Sequence, residues 1–67
     1  MKITYDKNAD AAYIQIQEIF PGGVKKTYLC DPEEVGTMIN LDFDENNILV
    51  GIEVLDASKK LPKEVLG

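Results

Sequence analysis

The chain has 67 residues, 45% hydrophobic and 28% charged, with twelve acidic side chains against seven basic ones and a net charge of -5. That length holds one small domain over residues 1–67 and leaves no room for a second core, which excludes modular enzymes; the composition is that of a globular chain rather than a disordered one. A chain this short buries only about 60% of the surface it exposes unfolded while folding offsets roughly 1.5 kcal/mol of lost freedom per residue, so help from a partner chain is expected.

Charge narrows the partners. There is no arginine, and the lysines fall in scattered pairs such as Lys25-Lys26 and Lys59-Lys60. Binding a polyanion rests on basic groups that neutralise phosphates, so nucleic acid is not expected as a partner. An acidic surface instead suits a small basic protein. A single cysteine, Cys30, rules out an internal disulfide. With no apolar leader in Met1–Asp10 and no membrane-length apolar run, the expectation is a cytoplasmic protein without membrane contact.

Strand signals begin at once. Met1, Ile3 and Tyr5 alternate with Lys2 and Thr4, the period of a half-buried strand, and Asp6 to Asp10 supply turn chemistry. From Ala11 to Ile19, Ala12, Ile14 and Ile16 alternate with Tyr13, Gln15 and Gln17, predicting a second strand that ends at Phe20-Pro21-Gly22-Gly23. Val24 to Cys30 reads as a weaker edge strand, and Asp31-Pro32-Glu33-Glu34-Val35-Gly36 as a break. Thr37 to Phe43 alternates cleanly. After Asp44-Glu45-Asn46-Asn47, a turn in which Asn tolerates positive φ, a last strand carries Ile48, Val50, Ile52 and Val54 on one face. The tail changes period: Asp56 is a good N-cap for a turn through Lys60, Pro62 suits the start of a second turn, and Leu61, Val65 and Leu66 share a helical face that should cover part of the sheet.

These elements predict a mainly β fold on the border of α+β: a five-stranded antiparallel meander with a short C-terminal helical element. One face collects Ile3, Tyr5, Ile14, Ile16, Ile39, Leu41, Phe43, Ile48, Val50, Ile52 and Val54. Tyr13, Met38, Leu49 and Leu55 fall on the other, and one short helix cannot cover both faces. These four are therefore the candidate interface residues of a homodimer.

Chemistry-bearing patterns are sparse. Asp42-x-Asp44-x-Asn46 followed by Glu53 has the oxygen spacing of a calcium loop, which makes a weak divalent-cation module the alternative reading. Against it, Asn47 stands where such a loop needs Gly, and the flanks have strand period. A β-turn with Asx bonds is the simpler reading. Asp6 and Asp10 likewise read as turn residues. With no histidine, the commonest general base is missing. Cys30, beside Asp31, reads as a packing residue; Ser58, the only serine, reads as local helix-cap chemistry. One Cys without His cannot build a zinc site. No catalytic residue, cofactor site or metal site is assigned.

The opening block Met1-Lys2-Ile3-Thr4-Tyr5-Asp6-Lys7-Asn8-Ala9-Asp10-Ala11-Ala12-Tyr13-Ile14, the segment Leu41-Asp42-Phe43-Asp44 and the closing block Gly51-Ile52-Glu53-Val54-Leu55-Asp56-Ala57-Ser58 resemble the small prokaryotic family called domain of unknown function 2283. The resemblance spans nearly the whole chain, is least distinctive from Phe20 to Gly36, and departs at Asn47, where members often carry Gly. It implies a tiny stand-alone domain without catalytic apparatus, some of whose members are antitoxin-like neighbours of small toxin genes. The expectation is therefore a non-enzymatic protein-interaction module, acting as a homodimer or with a basic partner.

Overall fold

A computed structural model describes the chain from Met1 to Gly67. Five strands, β1 (Lys2–Asp6), β2 (Ala11–Gln15), β3 (Lys26–Leu29), β4 (Ile39–Phe43) and β5 (Leu49–Leu55), form one sheet in the order β1-β2-β5-β4-β3. Every neighbouring pair is antiparallel, so the expected mainly β architecture stands. The order departs from a sequential meander at one connection: β2 pairs with β5, and the chain crosses from there to the far edge before β3 begins. The strands' composition accounts for this. β5 is the longest at seven residues and contains buried Val50, Gly51 and Val54, so it profits from neighbours on both sides. β3 carries Lys26 and is exposed along its length, as suits an edge.

The crossing also shortens the expected strands. β2 stops at Gln15 rather than Ile19, although the Ile16 N–H still donates to Val50 O at 2.9 Å. β3 spans less than Val24–Cys30, but Lys25 and Cys30 each add one ladder bond, to Phe43 O and Ile39 O. β4 begins at Ile39 rather than Thr37. Ile48 lies outside β5, in the turn. Where β4 meets β5 the register slips from Asp42 opposite Gly51 to Phe43 opposite Leu49, leaving Val50 as the extra residue of a bulge.

Register places the apolar residues in transverse rows. Tyr5, Ala12, Val54 and Ile39 form one; Ile3, Ile14, Ile52, Leu41 and Tyr28 form the next. The first is roofed by two single-turn helices, α2 (Ala57–Lys60) and α3 (Lys63–Leu66), once a third turn, α1 (Pro32–Val35), has been passed in chain order. Ala12, Val54 and Ala57 are buried together, with Tyr5, Ile39, Ile52, Leu61 and Leu66 packed around them. A side chain such as Val54, removed fully from water, contributes about 2 kcal/mol. Of the expected cover by Leu61, Val65 and Leu66, Leu61 and Leu66 are in place over this row, and Val65 is not among the residues packed on the cluster.

The break at Asp31–Gly36 contains α1. Asp31 accepts from the Glu33 N–H at 3.0 Å, Pro32 opens the turn, and Gly36 closes it at φ 88, donating to Pro32 O at 2.8 Å. These are the ordinary start and stop residues of a helix. No helix is long and apolar enough to cross a membrane.

Candidate functional site

On the face away from α2 and α3, polar side chains meet over the middle of the sheet. Tyr13 of β2 lies opposite Glu53 of β5, and Asp42 of β4 lies opposite Gly51. The Tyr13 hydroxyl donates to Asp42 Oδ2 at 2.6 Å, so its ring spans the whole width of β5. Gly51 makes that path possible, because a Cβ there would overlap the Tyr13 hydroxyl. Thr27 of β3 donates to the other oxygen, Asp42 Oδ1, at 2.7 Å. One carboxylate therefore joins β2, β4 and β3 above the backbone of β5. Beside it, the Asn40 amide donates to Glu53 Oε1 at 3.0 Å, while Asn40 Oδ1 is buried without a partner.

The chemistry of this network is that of positioned donors and acceptors. Burial first, then the hydrogen bond and negative charge of Asp42 and the charge of Glu53, push the Tyr13 phenol up to about 12. It stays protonated at neutral pH and donates, which suits neither a base nor a nucleophile.

Of the interface candidates from the sequence, Tyr13, Met38 and Leu55 share this face, whereas the bulge at Val50 sets Leu49 opposite Phe43 and so on the other one. Their settings differ. Tyr13 is committed to Asp42, Leu49 and Leu55 are half-buried and separated along β5 by Gly51 and Glu53, and Met38 is 53% exposed.

Three of the four oxygen ligands of the cation reading are used elsewhere. Asp42 holds Tyr13 and Thr27, Glu53 holds Asn40, and Asp44 Oδ1 accepts from the Asn46 and Ile48 N–H groups at 2.9 and 3.0 Å. Asn46 sits in the turn that Asp44 organises, and nowhere do three or more acidic or thiol side chains converge as metal ligands. The turn is the Asx-bonded one expected, with Asn47 at φ 63. Beside it a cleft of about 350 Å³ separates the crossover loop at Phe20 and Gly23 from Asp44, with Lys25 and Val50 in its lining.

A second polar cluster lies at the roofed end. Asp6 behaves as a turn residue, accepting from the Asn8 and Ala9 N–H groups. Asp10 does more. At φ 50, its carboxylate accepts from the Tyr5 hydroxyl at 2.7 Å and from the Ser58 N–H and hydroxyl at 2.9 and 2.7 Å, while its carbonyl takes the Ala57 N–H at 2.9 Å. The hydrogen bond from Tyr5, then those from Ser58, lower the Asp10 pKa below its usual value. The same bond is the main reason the Tyr5 pKa is raised. This corrects the expected capping of α2: Asp56 occupies the N-cap position at φ 52, yet its side chain makes no cap bond. The carboxylate over the helix start is that of Asp10, and Asp56 accepts instead from buried Thr37 at 2.7 Å. Ser58 acts in capping as a donor to a distant strand turn rather than locally. Cys30 is half-buried beyond the end of β3.

Among known families, the model described as "Protein of unknown function (DUF2283)" matches residues 2–58, and the chain belongs to that family. No curated protein and no solved structure matches the chain.

Proposed function

We propose that this member of a family without an assigned activity is a non-enzymatic protein-association module of the cytoplasm. In this reading it pairs with a second copy of itself and offers its acidic surface to a small basic protein, as an antitoxin does to a basic toxin. The observation that carries it is the mismatch between a small core and a large apolar exterior: six of 67 residues are buried, while Ile3, Ile16, Tyr28 and Leu29 stand open to water. A chain that leaves so much apolar surface uncovered gains stability by covering it. The polar groups support the same reading. Both carboxylate clusters are closed by hydrogen bonds within the chain, Tyr13 is held protonated, and histidine is missing from the sequence.

Light scattering of the purified chain from micromolar to millimolar concentration tests the reading, with the product of the adjoining gene added in a second series. The expected result is a dimer that shifts to a larger complex when the added protein is basic. A monodisperse monomer throughout, in both series, overturns it.

A further inference from the structure

We infer that the second copy docks on the unroofed apolar row Ile3, Ile14, Ile52, Leu41 and Tyr28, rather than on the face bearing Tyr13, Met38 and Leu55. The inference rests on the association reading and specifies its surface. The row takes one residue from each of the five strands and crosses the sheet without a charged side chain. At about 4.8 Å between strands it runs roughly 19 Å. α2 and α3 roof the neighbouring row, and Ile52 is the only member of this one that packs against their cluster. At its two ends Ile3 is 38% and Tyr28 58% exposed.

Area supplies the argument for what covers it. A compact monomer of 7.5 kDa exposes about 4,250 Å². This chain exposes 4890 Å², an excess of roughly 640 Å² over the compact expectation. A standard interface removes about 800 Å² from each partner, so pairing brings the molecule back to the surface of a compact protein. The row also complements itself. A two-fold axis lying along the row sets each member against its own counterpart, Ile3 against Ile3 and Tyr28 against Tyr28, as an isologous contact allows, and carries the roof of α2 and α3 in one copy clear of that in the other. Charge selects the same occupant. Two chains of net charge -5 can meet only where no carboxylate is buried against another, and a basic partner gains nothing from a row that carries no charge.

Sedimentation equilibrium on the full chain and three exposed-site variants tests this. Ile3→Lys and Tyr28→Lys are expected to raise the dimer Kd about tenfold or more, because each buries an unpaired ammonium in the contact. Met38→Lys, on the opposite face, is expected to leave it unchanged. If Met38→Lys dissociates the dimer and the other two do not, the row is the wrong surface and the association reading survives. If the wild-type chain is monomeric at every concentration, both fall. A methyl NMR dilution series on the wild-type chain needs no variant to fold: the Ile3, Ile14, Ile52 and Leu41 methyl signals should move with concentration and that of Met38 should not. The opposite pattern overturns the inference.

Discussion

Two carboxylates organise this molecule, and each does so by accepting from a tyrosine and from a small hydroxyl. Asp10 takes Tyr5 and Ser58 at the edge of the roofed row; Asp42 takes Tyr13 and Thr27 over the middle of the opposite face. The partners of Asp10 join a strand turn to a helix start, so that node governs whether α2 and α3 stay docked. Those of Asp42 join three strands across a fourth, so that node governs the sheet itself. Their settings differ as well. For Tyr13 burial is the leading cause of its raised pKa, whereas for Tyr5 it is the hydrogen bond to Asp10. The same chemistry therefore serves as an internal brace in one place and as an exposed latch in the other.

The brace is broken most severely at a residue that belongs to neither hydroxyl nor carboxylate. Gly51→Ala puts a Cβ where the Tyr13 hydroxyl lies, which displaces the ring and costs the bond to Asp42. Overpacking and the lost bond together are expected to destabilise the fold by about 3 kcal/mol, read from urea denaturation. Tyr13→Phe alone should cost about 1 kcal/mol. In the Gly51→Ala background the same change should cost almost nothing, since the bond is already gone; full additivity in that cycle would show that Gly51 and Tyr13 act independently.

The latch is broken by acid. The Asp10 pKa is lowered in the folded chain, so its contribution is complete above the unfolded carboxylate value of about 4 and is lost as pH falls through the folded value. Wild-type stability should therefore decline as pH falls from about 4 through the folded value, and Asp10→Asn should start lower and flatten the decline. An unchanged acid limb in the variant would remove Asp10 from the account. At the other end of the scale, Tyr13, held up to about 12, contributes stability below the unfolded tyrosine value of about 10 that fades as pH rises from there through about 12. Phenolate absorbance followed with alkali should show this tyrosine ionising last, a step that Tyr13→Phe deletes.

The contrast between the nodes also explains what could be read from residues alone. Alternation located all five strands and placed Tyr13 on the face away from Ile14 and Ile52, because side-chain direction follows from spacing within a strand, but it put Leu49 there too, which the bulge at Val50 overturns. Strand order was not legible, since alternation names a residue's face and not its neighbour; β5 takes the centre because it gains most from two partners. Asp10 meets Ser58 across 48 positions, and the chain's path alone brings them together. Asp56, the local capping candidate, lost that role to Asp10 and bonded Thr37 instead. Gly51 did leave a signal: glycine inside a strand marks a close approach by another group. The one-turn helix α1 was written plainly in Asp31, Pro32 and Gly36, and strand alternation drew the reading past it.

The smallest expected effect concerns the turn that leads from the braced strand β4 into β5. Asn47 holds φ 63 there, in the left-handed region where a Cβ is strained and glycine is not. Its side-chain oxygen accepts from the Lys26 ammonium at 3.0 Å, but the pair is exposed to solvent, where such bonds contribute little. Relief of backbone strain should outweigh both the lost bond and the greater freedom of glycine in the unfolded chain. Asn47→Gly is therefore expected to stabilise the fold by about 0.5 kcal/mol in urea denaturation. The neighbouring Asp44 sharpens the point, because its carboxylate already fixes the turn through the Asn46 and Ile48 N–H groups. Asp44→Ala should remove that organisation, so the gain from glycine should shrink when the two changes are combined. A loss of stability on Asn47→Gly alone would mean that the bond to Lys26, which ties the turn to β3 at the sheet edge, matters more than the backbone conformation it accompanies.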